Sequence, residues 1–151
     1  YDPQHKQLSD FPRLSKWAES ISILENLDHV LEKADFLTLH VPKTKETTHL
    51  MNSARIKTLK KGAYLINCSR GGIVDESALL AAVNEGHLAG AALDVFEKEP
   101  PEFPNPLFDH PKDRRQIDIS CSCPVNLFQW MCGKVQKMHI FDPSINVFQL
   151  S

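Results

Sequence analysis

An apolar run at residues 63–66 passes directly into Asn67-Cys68-Ser69-Arg70-Gly71-Gly72-Ile73-Val74-Asp75-Glu76, and residues 77–83 then follow helical spacing. A strand, a glycine-paired turn and a helix in direct succession confine the chain to folds in which strands and helices alternate. One arginine therefore stands between a strand end and a helix start. Open α/β sheets meet their ligands at the carboxyl ends of strands, so this loop is the expected site. Gly71 and Gly72 can adopt φ > 0 and let the backbone approach a ligand closely.

The flanks repeat the alternation. Leu27, Val30, Leu31 and Ala34 recur at helical spacing behind Asn26, which suits an N-cap. Phe36-Leu37-Thr38-Leu39-His40-Val41 reads as a buried strand stopped by Pro42. Residues 53–59 are a short helix capped by Asn52 and ended by Gly62, and residues 63–67 are the next strand. Asp75 caps the following helix, Gly86 closes it, and residues 89–95 are a small-residue strand. The pattern is that of a doubly wound parallel sheet. Five of the ten prolines fall between Pro100 and Pro111 and end the alternation. The tail, residues 112–151, has no sustained period; Ile117-Asp118-Ile119 and residues 147–150 are its two candidate strands.

The 151 residues make one domain's worth of chain, and a net charge of −2 gives no electrostatic reason to expect nucleic acid or an anionic membrane. No apolar run is long enough to span a bilayer. Four unevenly spaced cysteines without a secretory signal point to a reducing, cytoplasmic setting. The C-x-C spacing of Cys121 and Cys123, with Cys132 and His139 further on, is not that of a zinc ribbon or finger, so no metal is expected. Lys43, Lys45, Lys57, Lys60 and Lys61 read as solvated ends of helices and loops, and His40 and His49 as structural.

Three residues could carry chemistry. Arg70 can hold a carboxylate through two parallel charge-assisted hydrogen bonds, although taken alone it reads first as part of a polar turn. Asp94 ends a buried strand, where it either caps a loop or meets a ligand. Glu99, before the proline loop, is either an exposed acid or a partner that raises the pKa of an imidazole.

Taken together, Leu39-His40-Val41-Pro42, the stretch from Lys61 to Glu76, and Gly90-Ala91-Ala92-Leu93-Asp94-Val95-Phe96-Glu97-Lys98-Glu99-Pro100 resemble the NAD-binding domain of the D-isomer-specific 2-hydroxyacid dehydrogenases. The wording of residues 67–76 is most similar to members acting on 3-phosphoglycerate. The resemblance implies an α/β fold: a partial Rossmann-like doubly wound sheet in three α/β/α layers, followed by an irregular tail. It also implies the roles of particular residues. Arg70 would bind the substrate carboxylate and polarise the carbonyl, and Glu99 would pair with a catalytic histidine. Asp94 would hold the nicotinamide carboxamide, with Cys68 and Ser69 lining the same ring and Val41 and Pro42 lying along the cofactor. Asp2, in Tyr1-Asp2-Pro3, would bond the adenosine ribose hydroxyls and so favour NAD over NADP.

Departures from the family shape the functional expectation. No G-x-G-x-x-G occurs in the chain, which starts at Tyr1 and reads as a fragment. The family's Thr-Pro-His has no counterpart: aligning its proline with Pro124 puts Val125 at the imidazole position, and neither His110 nor His139 fits. Residues 1–111 are therefore expected to be a partial NAD-binding domain, and residues 112–151 a divergent tail that is disordered or out of frame. The parent would oxidise the CH–OH group of a D-2-hydroxy acid such as 3-phosphoglycerate, as a homodimer or higher oligomer, while the isolated chain would be inactive. The rival readings are an NAD-sensing corepressor-like binding protein of the same fold and a gene fragment without function.

Overall fold

The computed structural model describes residue 24, residues 26–108, and the backbone of two short strands in the tail. Asp2 lies outside the described residues, as do the tail cysteines, His110, Pro124, Val125 and His139.

Each helix begins where a side chain can satisfy an orphan amide. Asn26 accepts the Asp28 N–H to start α1 (Leu27–Lys33), Asn52 accepts the Arg55 N–H to start α2 (Ser53–Thr58), and Asp75 accepts the Ala78 N–H to start α3 (Glu76–Asn84). Gly86, at φ 68°, closes α3 and donates its N–H to the Val83 carbonyl. Between the helices run β1 (Phe36–Leu39), β2 (Ala63–Asn67) and β3 (Leu88–Leu93). The tail adds β4 (Ile117–Ile119) and β5 (Val147–Leu150), the two segments its sequence marked as strands.

All pairings are parallel, in the order β4-β3-β2-β1-β5. The register aligns Leu39 with Asn67, Asn67 with Leu93, Leu93 with Ile119 and Leu39 with Leu150, so the strands finish in one row. That row explains why β1 and β3 stop two residues short of the apolar runs. A parallel ladder needs a partner strand, and the central strand ends at Asn67.

The side-chain period of two sorts the sheet's faces. Leu37, Leu39, Leu65, Ala91 and Leu93 pack with Val30 and Leu31 of α1, Ile56 of α2, and Leu79 and Val83 of α3 in one buried core. Phe36, Ile66 and Ala92 point the other way with Tyr64 and Cys68, and the Phe36 and Tyr64 rings stack at 5.0 Å. The described helices thus form one layer on one face. Lys60 keeps its side chain 37% exposed, and its Nζ also lies 3.0 and 3.1 Å from the Asp35 carboxylate oxygens, tying the end of α2 to the start of β1. No helix among the described residues is long and apolar enough to cross a membrane.

Candidate functional site at the strand ends

Strand order runs outward from β1 in both directions, with β2, β3 and β4 on one side and β5 on the other. The carboxyl end of β1 is therefore where the order reverses, the position at which open α/β sheets leave a ligand crevice. Val41 and Pro42 follow that end, Cys68, Ser69 and Arg70 follow β2, and Asp94 follows β3. Six of the residues singled out in the sequence thus lie along one edge.

Asn67, which sequence reasoning passed over as a strand end, shapes this edge. The residue is 2% exposed, and both ends of its amide are bonded. Oδ1 accepts the Ser69 backbone N–H at 3.1 Å and the Ser69 hydroxyl at 2.8 Å, while Nδ2 donates to the Arg70 carbonyl at 3.2 Å. Its own carbonyl accepts the Asp94 N–H at 3.0 Å, which locks the β2 loop to the end of β3. Ser69 is therefore buried by the loop's own wiring. Arg70 is exposed, and its Nη1 donates to the Ser69 carbonyl at 2.7 Å.

The two glycines divide the work expected of both. Gly72 has φ 78° and provides the left-handed turn. Gly71 makes the close approach, but to protein: a β-carbon there would sit 1.6 Å from the Phe96 carbonyl oxygen. Its tightness serves loop packing and does not open a ligand cradle.

Electrostatics set Cys68 apart. Burial pushes its thiol pKa up, and the charge of Asp94 adds to the rise, so the protonated thiol is favoured. Glu99 is exposed, and its Oε1 folds back on its own loop to accept the Phe96 N–H at 3.0 Å. An open cavity of about 350 Å³ lies elsewhere, between the start of α3 and the proline loop, lined by Leu80, Pro101, Pro104 and Leu107 among others. None of the strand-end residues lines it, so the candidate site is an open edge and this cavity is a separate feature.

The edge fits the ring end of a dinucleotide. Pro42 and Arg70 are exposed there, Asp94 is half-buried, and Val41 is packed into the core beneath them. It does not fit the pyrophosphate at α3, because carboxylates already hold that helix start: Asp75 Oδ1 accepts the Ala78 N–H, and Glu97 Oε1 accepts the Glu76 N–H.

Comparison with known proteins agrees with this geometry. Residues 7–113 match the model of the D-isomer specific 2-hydroxyacid dehydrogenase, NAD binding domain. D-3-phosphoglycerate dehydrogenase of Bacillus subtilis is 61% identical over 84 residues, which are 56% of this chain and 16% of that protein. Glyoxylate reductase of Thermofilum pendens is 55% identical over 87 residues, 56% of this chain and 26% of the relative. The chain thus spans about a sixth to a quarter of these relatives. The crystal structure of a D-isomer specific 2-hydroxyacid dehydrogenase from Xanthobacter autotrophicus Py2, in complex with NADPH and MES, superposes with a TM-score of 0.58 at 32% identity, covering 83% of this chain and 51% of the other. An NAD-dependent formate dehydrogenase from Staphylococcus aureus, in complex with NAD, gives 0.59 at 29% identity, over 74% of this chain and 31% of its own. The match across residues 7–113, with the parallel sheet and its row of strand-end residues, establishes that this chain belongs to the D-isomer specific 2-hydroxyacid dehydrogenases, through their NAD-binding domain.

Proposed function

We propose that the chain is the nicotinamide-side portion of an NAD-linked oxidoreductase that interconverts a D-2-hydroxy acid and its 2-oxo acid. The observation carrying this reading is the single edge that brings Val41, Pro42, Cys68, Ser69, Arg70 and Asp94 together beside the strand-order reversal. When bound, NAD supplies a hydride acceptor. Val41 and Pro42 lie along the cofactor, Cys68 and Ser69 line its ring, and Asp94 accepts a hydrogen bond from its carboxamide. Asp2 bonds the adenosine ribose and favours NAD over NADP. Arg70 swings from the Ser69 carbonyl to the substrate carboxylate, where its fork geometry fits. Glu99 pairs with an imidazole that residues 24–108 do not supply in the family's position.

The substrate we favour is 3-phosphoglycerate, supported by the 61% identity to the Bacillus subtilis enzyme in the segment that contains Arg70. The isolated chain is expected to bind NADH without turning over. Titration of the purified chain with NADH, followed by ligand fluorescence, tests the binding. Asp94→Ala should weaken it roughly tenfold, the effect of one well-made hydrogen bond to a charged group. An NADH-formation assay with 3-phosphoglycerate tests the rest. Brisk turnover by the chain alone, or NADH affinity indifferent to Asp94→Ala, would overturn the reading.

A further inference from the structure

Three loops build the strand-end edge: residues 40–52 after β1, 68–75 after β2 and 94–99 after β3. Their backbones are cross-linked away from Arg70. The His49 N–H donates to the Gly72 carbonyl at 2.8 Å, the Met51 N–H to Ile73 at 3.0 Å, and the Asp75 N–H to Met51 at 3.1 Å. The loop after β3 joins this assembly through the Asp94 N–H on the Asn67 carbonyl at its start, through Gly71 against Phe96, and further along through one pair of side chains. Glu76 Oε1 accepts the Glu97 N–H at 2.6 Å, and Glu97 Oε1 accepts the Glu76 N–H at 3.1 Å. The same Glu97 Oε1 lies 3.1 Å from His49 Nε2.

One carboxylate oxygen of the loop after β3 therefore touches the loop after β1 and the first residue of α3, which directly follows the loop after β2. Two features make this arrangement tolerable. The Glu76 N–H is an orphan donor at the start of α3, where a carboxylate is favoured. His49, when protonated, supplies a countercharge. His49 is itself held at φ 48°, a conformation that costs a non-glycine residue about 1 kcal/mol, so its contacts have to outweigh that strain. Burial pushes the Glu76 pKa up; the Glu97 N–H opposes the rise and the Glu97 charge adds to it.

We propose that Glu97, bonded to Glu76 and His49, is a positioning residue that fixes the Arg70 loop against the loop carrying Asp94 and Glu99. The functional weight of this clamp rests on the reading of Arg70 and Asp94 given above; the mechanical claim does not.

The test is amide hydrogen exchange on the 151-residue chain, comparing wild type with Glu97→Ala and Glu97→Gln. In Glu97→Ala the amides of His49, Ser69 and Phe96, none of them bonded to Glu97, should exchange roughly tenfold faster while β2 and β3 stay protected. Glu97→Gln keeps an oxygen acceptor for the Glu76 N–H and should restore most of the protection. NADH affinity should fall in Glu97→Ala and recover in Glu97→Gln with the thermal midpoint little changed. Changes confined to the amides of Glu76 and Glu97, or spread equally through β2 and β3, would sink the proposal. If Glu97→Ala does not fold, Glu76→Ala, which removes only the reciprocal bond, decides by the same pattern. A wild-type chain that fails to bind NADH counts against the functional reading, and the exchange pattern still decides the clamp.

Discussion

Gly71 and Phe96 stand so close that an added β-carbon would lie 1.6 Å from a carbonyl oxygen. The obstacle is backbone on both sides, so relief requires the loops after β2 and β3 to separate. Gly72 presents the opposite case: its φ of 78° strains any side chain, but the nearest atom is the mobile Nζ of Lys43. Gly71→Ala should therefore destabilise by about 3 kcal/mol, the upper range for overpacking, and Gly72→Ala by about 1 kcal/mol. Urea denaturation midpoints of the two variants would check the order. Equal losses would mean that the loops part easily.

Asn67 makes a second prediction because its amide uses both ends. Asn67→Ala should cost about 2 kcal/mol, since it leaves the Ser69 donors and the Arg70 carbonyl without their buried partner. Asn67→Asp sharpens the test. A carboxylate cannot donate to the Arg70 carbonyl, whereas the protonated acid can, and burial favours that neutral form. The folded pKa of the new acid should lie above its unfolded value. Its stability deficit should then be smallest at low pH and grow as pH rises through the folded pKa. Melts of wild type and variant across pH 4 to 8 would show the gap widening; a constant gap would mean that only the acceptor oxygen matters.

Much of this edge could be read from the chain itself. Asn26, Asn52 and Asp75 cap the helices they precede, because capping is written within a few residues. Arg70, Asp94 and Val41 fall at strand ends because the apolar runs locate the strands. What was hidden depends on contacts between distant parts of the chain. Nothing local marks Phe96 as the neighbour of Gly71, Glu76 as the partner of Glu97, or Asp35 as that of Lys60. Nor could the place of β5 beyond β1 be read, since four residues in an aperiodic tail carry no signal for which edge they join.

Cys68 offers a chemical probe of the Asp94 side chain. Burial first, and the Asp94 charge second, raise its pKa, so at neutral pH little thiolate is present and alkylation should be slow. Asp94→Asn removes the charge and leaves the burial. The thiolate fraction should rise, speeding alkylation roughly twofold to fivefold below the thiol pKa, a modest gain because desolvation dominates. Peptide-resolved mass spectrometry would separate Cys68 from Cys121, Cys123 and Cys132. An unchanged or slower rate in Asp94→Asn would show that the two side chains do not sense one another.

Asp75 sets the acid limit of α3. Its Oδ1 accepts the Ser77 hydroxyl at 2.6 Å and the Ala78 N–H at 3.0 Å. These bonds, the Ser77 one foremost, hold its pKa below the ordinary value, and the charge of nearby His49 contributes. A carboxylate whose folded pKa lies below its unfolded one stabilises the protein above the unfolded value, near 3.9, and loses that contribution as pH falls through the folded value. Asp75→Asn keeps an oxygen acceptor for the helix start and removes the titration. The variant should be slightly less stable than wild type at pH 7, with the difference closing as pH falls below the unfolded value and through the folded one. Asp75→Ala should lose about 1 kcal/mol at neutral pH, the usual worth of an N-cap. Thermal melts of all three proteins over this range would decide, and a wild-type advantage over Asp75→Asn that persisted at pH 2 would show that the carboxylate's charge is not what supports the helix start.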